Sequence, residues 1–456
     1  MSFLERFEGG QSVASKITPR LPKGMRDFLP QDMLRRRFVV ETVRSVFEEF
    51  GFEPLDTPVL ELEETLLGKY GPEAEKLIYF AHHPEGRERL ALRYDLSVPL
   101  SRVMAMHQDL AKPFRRYQIS PVWRAERPQR GRYREFYQCD VDIVGSARML
   151  ADAEILGVID AVLSRLGFTD FAVKMNNRKI LNGIGRFSGV PEGSLGSLYR
   201  AIDKLEKIGA EGAEEELRQH QIPPAATRRV LGLLEIRGDN RLVLAQLRAR
   251  LESDEEAAEG LAELDEILSH LEAMGAPPAR YRVEFTMVRG LEYYTGPIYE
   301  TFVERPAIGS LTGGGRYDRL IGLFMPRSLP ATGTTIGIER ILDVMQEFGM
   351  FPGEEKSVVQ VLMTVFSQDL LGKSLHLASL LRRAGVKTEV FLEAKKLTDQ
   401  LRYAQEKGVP FVAILGPKEV EAELVTIKSL RDGTQRDVAW SKAAEMIQTL
   451  TAGPAG

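Results

Sequence analysis

Strand-forming sequence occurs in two blocks of this chain, and a long block without it lies between them. Residues 88–144 hold short alternating or apolar runs, RLALRY, FRRYQISPVWRAE and YREFYQCDVDIVG, joined by turns and one helix. Residues 175–277 consist of helix formers and are heavy in Glu and Ala between 210 and 270. Strand character returns over 281–345 with YRVEFTMVRG, PIYETFVE and GSLTGGGRYDRLIGLF, and a final helix begins near Gly337. A sheet drawn from both blocks must carry the middle as an insertion, which predicts an α+β unit with a helical insertion over 175–277.

The flanks read as separate pieces. Residues 1–20 are polar and contain Gly and Ser, as a loose tail would. Over 31–50, Leu34, Phe38, Val39, Val43, Val46, Phe47 and Phe50 fall at helical spacing, and Gly51 stands where a helix-terminating glycine belongs. In FEPLDTPVLE, Pro54 and Pro58 exclude a central paired strand. Residues 150–166 predict an amphipathic helix. A linker over 349–356 precedes a second unit at 357–456. There VVQVLMTVF, TEVFL, PFVAILG and LVTIKSL are strand candidates, and helices at 368–384 and 395–407 separate the first three. That alternation predicts a small α/β domain with a parallel or mixed sheet.

Composition narrows the function classes. The chain is 43% hydrophobic and 28% charged with a net charge of −4, ordinary for a globular protein and not globally basic as many nucleic-acid binders are. Charge is nevertheless clustered. Residues 111–134 hold eight Lys or Arg and one acid, and residues 251–265 hold seven acids and no base. Such clusters build local fields, or simply coat a solvated face. Cys139 is the one cysteine, so no intrachain disulfide forms. The N-terminus lacks a basic-then-apolar leader pattern, and no apolar run reaches membrane-spanning length; a cytoplasmic location is expected. The six histidines form no HxxxH pair, and no CxxC or GxSxG pattern occurs, so neither a zinc site nor a hydrolase triad is expected.

Three polar constellations could carry chemistry. PVWRAERPQRGRYREFYQ places Arg124 on a hairpin arm beside an arginine- and glycine-bearing turn, with Phe136 on the returning strand. Guanidinium forks suit phosphate and carboxylate oxygens, and an aromatic ring can stack on a base. The same residues also suit an exposed hairpin with surface ion pairs. Phe136, Gln138, Asp140 and Asp142 share one strand face. TMVRGLEYYTG sets Arg289 near Tyr293 and Tyr294, whose hydroxyls can meet a ring nitrogen or merely satisfy a sheet edge. TGGGRYD reads as a glycine-rich bend that lets backbone approach a ligand closely, or as a plain turn; it is neither a P-loop nor GxGxxG.

In this order the motifs resemble the histidyl-tRNA synthetase family over roughly residues 20–440. PKGMRDFLP opens as that family does. EFGFEPLDTPVLE is similar to class II motif 1, WRAERPQRGRYREFYQCDVDIVG to motif 2 and GTTIGIERI to motif 3. RGLEYYTG and GGRYDRL are similar to the two histidyl-specific signatures, and KKLTDQLRYAQEKGVPFVAILG to the anticodon-binding domain. The resemblance implies a class II antiparallel sheet of six or seven strands flanked by helices. It assigns residues 21–174 and 278–348 to a catalytic domain and 357–456 to anticodon binding. It implies L-histidine, ATP and tRNA(His) as partners, a homodimer through motif 1, and Mg2+ carried mainly on ATP phosphates.

Residue by residue, the resemblance assigns Asp95, Leu96, Ser97 and Gln138 to the amino-acid ammonium end, with Ser97 replacing the family's threonine. Asp142, Tyr293 and Tyr294 fall to the imidazole. Arg124 takes the α-phosphate, Glu126 lies near ATP, Phe136 stacks on adenine and Arg340 meets the γ-phosphate. Arg289 lies between carboxylate and α-phosphate, and Gln129, Arg130 and Arg132 face the tRNA acceptor end. Glu292 stands where the family has aspartate. The competing family member is the ATP phosphoribosyltransferase regulatory subunit, which shares the catalytic fold but lacks the C-terminal domain.

Overall fold

The computed structural model describes residues 18–68, 75–83, 85–288, 293–353, 356–393 and 395–452. The chain divides into two compact units. One comprises Val39–Met350 with the residues up to Arg26, and the other runs from Phe351 onward with Asp27–Phe38. The stretch 27–38, expected in the first domain, therefore groups with the second.

The first unit is organised by an eight-stranded sheet. Its strands are β1 (Glu53–Pro54), β5 (Phe114–Trp123), β6 (Glu135–Val144), β7 (Ala172–Asn177), β8 (Tyr281–Val283), β9 (Pro297–Phe302), β10 (Thr312–Arg316) and β11 (Ala331–Ile336), in the spatial order β1-β5-β6-β11-β10-β9-β7-β8. The six central strands are antiparallel to one another, while β1 pairs parallel to β5 and β8 parallel to β7. The six or seven antiparallel strands expected are thus extended at both edges by parallel strands of two and three residues. Pro54 sits on such an edge, where its missing N–H costs no ladder bond. Three short strands, β2 (Leu60–Leu62), β3 (Phe80–Ala81) and β4 (Leu90–Leu92), make a second sheet in the order β2-β4-β3.

The β5–β6 hairpin is the longest pairing, ten residues from Phe114↔Val144 to Trp123↔Glu135. Along β6, Cys139, Val141 and Ile143 are buried on one face, while Gln138, Asp140 and Asp142 are buried on the other. A polar face so thoroughly covered is uncommon and needs a compensating purpose. The glycine run 313–315 is strand rather than bend. A Cβ on Gly314 would lie 2.7 Å from Thr334 Cα and closer still to the Gly333 carbonyl. Only glycine allows β10 and β11 to approach so closely.

The strand β7 continues to Asn177, so helix begins at Arg178 rather than at 175. Between β7 and β8 lie the helices Arg178–Ser188, Leu195–Gln219, Pro224–Leu234, Asn240–Arg250 and Glu255–Ala273. Their starts follow local chemistry: Asn177, Asp239 and Asp254 each accept a backbone N–H of the first turn. The last helix buries Ala257, Gly260, Leu261, Leu264, Ile267 and Leu271, one face at helical spacing.

The second unit carries a five-stranded sheet of β12 (Val361–Met363), β13 (Thr388–Val390), β14 (Phe411–Ile414), β15 (Leu424–Ser429) and β16 (Gln435–Ala439), ordered β13-β12-β14-β15-β16. The strand β12 is parallel to both neighbours, and β14, β15 and β16 run antiparallel. Helices Leu371–Arg383, Leu397–Lys407 and Trp440–Ala452 accompany it. Its core gathers Val361, Met363, Leu377, Leu381, Phe411, Val425 and Ile447. Among the described residues, no helix is long and apolar enough to cross a membrane.

Candidate active site

One cavity of about 170 Å³ opens over the polar face of β6 and its neighbours. Asp95 and Ser97 reach it from the start of the Ser97–Met106 helix, where Asp95 Oδ1 accepts the Val98 N–H at 3.1 Å. Arg124 enters just beyond the end of β5. Gln138, Asp140 and Asp142 come from β6, Glu300 from β9 and Tyr317 from just past β10. Tyr293 and Tyr294 lie on the turn before β9, with ring centroids 4.5 Å apart and the Tyr293 hydroxyl donating to Tyr294 Oη at 3.3 Å.

Asp142 is the most heavily supported of these groups. The Tyr317 hydroxyl donates to its Oδ1, and Arg116, wholly buried on β5, brings Nη2 to 2.8 Å from Oδ2. The hairpin register sets Arg116 directly opposite Asp142, and β11 sets Gly333 on its other side. Burial nevertheless raises the Asp142 carboxyl above the usual carboxylate range, against the pull of Arg116 and Tyr317. Burial also drives Asp140 up, to about 7; Arg116 opposes this and the neighbouring Asp142 and Asp95 charges add to it. Burial likewise raises the Tyr293 and Tyr294 hydroxyls, keeping them protonated donors.

Among the described residues, four carboxyls, Asp95, Asp140, Asp142 and Glu300, thus share a wall with one guanidinium, Arg124. Such a pocket favours a ligand bearing a cation and hydrogen-bond donors on its inner side and an anion toward Arg124. Gln138 Oε1 and Thr334 Oγ1 are buried without a hydrogen-bond partner among the described residues, so both have capacity for a ligand.

The remaining sequence-derived residues lie around this cavity. Arg124 Nε donates to the Tyr94 carbonyl at 2.9 Å, and its guanidinium carbon stands 5.2 Å from the Phe136 ring centroid. Glu126 receives Arg132 Nε at 3.2 Å. Gln129 and Arg132 bridge across the hairpin tip, where Gly131 has φ +68°, and Arg130 reaches Glu347 at 2.6 Å. Arg340 donates to the Ser310 carbonyl at 2.5 Å and to the Gly131 carbonyl at 3.3 Å. Glu126, Phe136 and Arg340 are therefore not in the wall of the cavity itself. Leu96 turns its side chain into the core, and its carbonyl accepts Arg116 Nη2 at 3.2 Å. Arg289 and Glu292 lie outside the described residues.

Sequence reasoning missed Arg116, Asp140, Glu300 and Tyr317 as site residues. Asp140 shares its strand face with Asp142, and Tyr317 lies in GGRYDRL, so both had a signal. Arg116 follows only from counting the hairpin register across its turn.

A mainly antiparallel sheet with a helical insertion, followed by a separate α/β unit, is the architecture of a class II aminoacyl-tRNA synthetase. A histidyl-tRNA synthetase family model matches residues 24–341, and an anticodon-binding domain model matches residues 358–450. A histidine–tRNA ligase of Aeropyrum pernix is 42% identical over 438 residues, 95% of this chain and 98% of that protein. One of Cytophaga hutchinsonii is 39% identical over 450 residues, 94% of this chain and 99% of that protein. A crystal structure of histidyl-tRNA synthetase from Nostoc superposes with a TM-score of 0.84 at 32% identity, covering 95% and 99% of the two chains. The chain belongs to the histidyl-tRNA synthetase family.

Proposed function

We propose that the cavity over β6 is the amino-acid end of a histidine-activating site. The family reaction joins L-histidine to ATP, giving histidyl-adenylate and pyrophosphate, and then passes histidine to the 3′ end of tRNA(His). The observation that carries this reading is the charge pattern: among the described residues an acidic inner wall, two protonated tyrosines and Arg124 converge on a single cavity. Asp95, Ser97 and Gln138 suit the ammonium, with Leu96 fixing the turn between the first two. Asp142, Tyr293 and Tyr294 suit the imidazole. An apolar analogue would leave those buried polar groups unpaired, which is how such a pocket discriminates strongly.

Arg124, joined by Arg289, then takes the carboxylate and α-phosphate oxygens during in-line displacement of pyrophosphate. The step needs charge neutralisation and alignment more than covalent help. Phe136, beneath Arg124, offers a face for adenine, Glu126 lies on the same arm, and Arg340 would serve the γ-phosphate end. Among the described residues no three His, Cys, Asp or Glu side chains converge as a metal site. Mg2+ would be held mainly by ATP oxygens, as suits an ion that keeps much of its water, and would supply charge neutralisation there.

Gln129, Arg130 and Arg132 at the hairpin tip suit the acceptor end of tRNA, and the second unit suits the anticodon. A homodimer accords with the exposed Leu60, Leu62 and Phe80 of the small sheet. The domains are read as 21–174 with 278–348 for catalysis, 175–277 for the insertion and 357–456 for anticodon binding. The deciding experiment is pyrophosphate exchange into ATP by the purified protein. Exchange that depends on histidine supports the reading; a purely regulatory relative would show none.

A further inference from the structure

Arg116 does not itself line the cavity, yet it contacts Asp142, which does, and the Leu96 carbonyl beside Asp95 and Ser97. Its guanidinium is completely buried; one nitrogen, Nη2, lies 2.8 Å from Asp142 Oδ2 and donates to the Leu96 carbonyl at 3.2 Å. Leu96 is flanked by Asp95 and Ser97, the groups read as the ammonium site, while Asp142 is read as the imidazole site. A single fixed cation therefore spans the distance over which the two ends of the amino acid are sensed. Nε and Nη1 of Arg116 have no hydrogen-bond partner among the described residues, so the group is not explained as a fully satisfied structural clamp.

The electrostatics agree with the geometry. Arg116 acts on Asp142 and Asp140 of β6, Asp95 from the helix start adds its charge to Asp140, and Tyr317 and Tyr294 face the two β6 carboxyls from beyond β10 and before β9. Buried carboxyls at this density would take up protons without a permanent cation beside them. A protonated Asp142 would lose its charge-assisted acceptor role toward an imidazole N–H.

We propose that Arg116 is a positioning residue for amino-acid recognition, setting the register between the Asp95–Ser97 turn and Asp142. This rests on the reading of the cavity as the histidine pocket. It is tested by histidine-dependent ATP–pyrophosphate exchange in Arg116→Met, Arg116→Lys, Tyr317→Phe and Asp142→Ala across pH 5.5–9, each checked for folding by thermal unfolding.

In Arg116→Met the histidine KM should rise roughly 10- to 100-fold, the scale of a lost charged hydrogen bond, with ATP KM within about twofold of wild type. The acidic limb of its kcat/KM profile should also move to higher pH. Titration of the substrate imidazole is common to all variants and cancels in the comparison. Arg116→Lys keeps the charge but not the fork, so its KM should rise at least ~3-fold while the limb stays in place. Tyr317→Phe should raise the histidine KM by a similar, smaller factor. Wild-type histidine KM and an unmoved limb in Arg116→Met overturn the proposal. If Arg116→Met does not fold, wild-type histidine KM in Arg116→Lys does so instead. If Asp142→Ala also leaves histidine KM unchanged, the underlying pocket reading fails, and not merely the role of Arg116.

Discussion

Gly333 fixes how tightly Asp142 is held, and adding one methyl there is a sharp test. A Cβ at this position would stand 2.5 Å from Asp142 Cγ, closer to its Oδ1, and 2.7 Å from the Val141 carbonyl oxygen. Comfortable carbon contacts lie near 3.5–4.0 Å, so Asp142 must retreat by about 1 Å. Rotating its side chain relieves only part of the clash, because the Val141 oxygen is backbone in the paired strand β6. The strands β6 and β11 must therefore separate, or Asp142 must leave Tyr317 and Arg116. Overpacking of this kind costs about 1–3 kcal/mol in stability. Displacing a substrate-binding group by ~1 Å costs on the order of 100-fold in rate. Gly333→Ala should thus lose about 100-fold in kcat/KM for histidine in pyrophosphate exchange, with ATP KM nearly unchanged. Gly232→Ala, whose Cβ meets nothing within 4 Å in the helix Pro224–Leu234, is the matched control and should be neutral or stabilising by up to about 1 kcal/mol. A folded Gly333→Ala enzyme with wild-type histidine kinetics would refute the argument that this strand contact positions Asp142.

Other outcomes follow from the same geometry. Arg124→Ala should lower exchange by about 10²–10³-fold at saturating substrates, since its guanidinium is the charge facing the cavity's anionic end; rapid-quench adenylate formation measures this. Phe136→Ala should raise ATP KM by roughly 5- to 100-fold while sparing histidine KM, as loss of base stacking predicts. Asp140, with a folded pKa near 7 instead of its ordinary 3.8, is costly when ionised, so it destabilises the fold increasingly as pH climbs from about 4 through 7. Asp140→Asn should therefore be more stable than wild type at pH 8, by at most about 4 kcal/mol, and the difference should vanish near pH 4 in denaturant titrations.

Much of this architecture was legible from pattern alone, for a physical reason. The helix at 30–49, the β5–β6 hairpin and the parallel core of the second unit bury one face each, and burial imposes a period on sequence. Elements without that signature were missed. The strand β16, QRDVA, is an edge strand with three of five residues exposed, so nothing in its hydropathy marks it. The glycine run at 313–315 carried no side chains to alternate, and its strand state comes from close approach of β10 to β11. At the site, motif order identified the cavity-lining Asp95, Ser97, Arg124, Gln138, Asp142, Tyr293 and Tyr294. It could not reveal Arg116, because a buried strand arginine acts through the register of its partner. Nor could it show that Arg340 and Arg130 are engaged by Ser310 and Glu347, contacts made across long sequence separations.

Asp142 as the reader of the imidazole is the claim most directly open to measurement. Steady-state exchange kinetics of Asp142→Ala should show a histidine KM at least tenfold above wild type and an ATP KM that barely moves. Equal changes in both constants, or none in either, would remove Asp142 from that role and with it the assignment of the cavity.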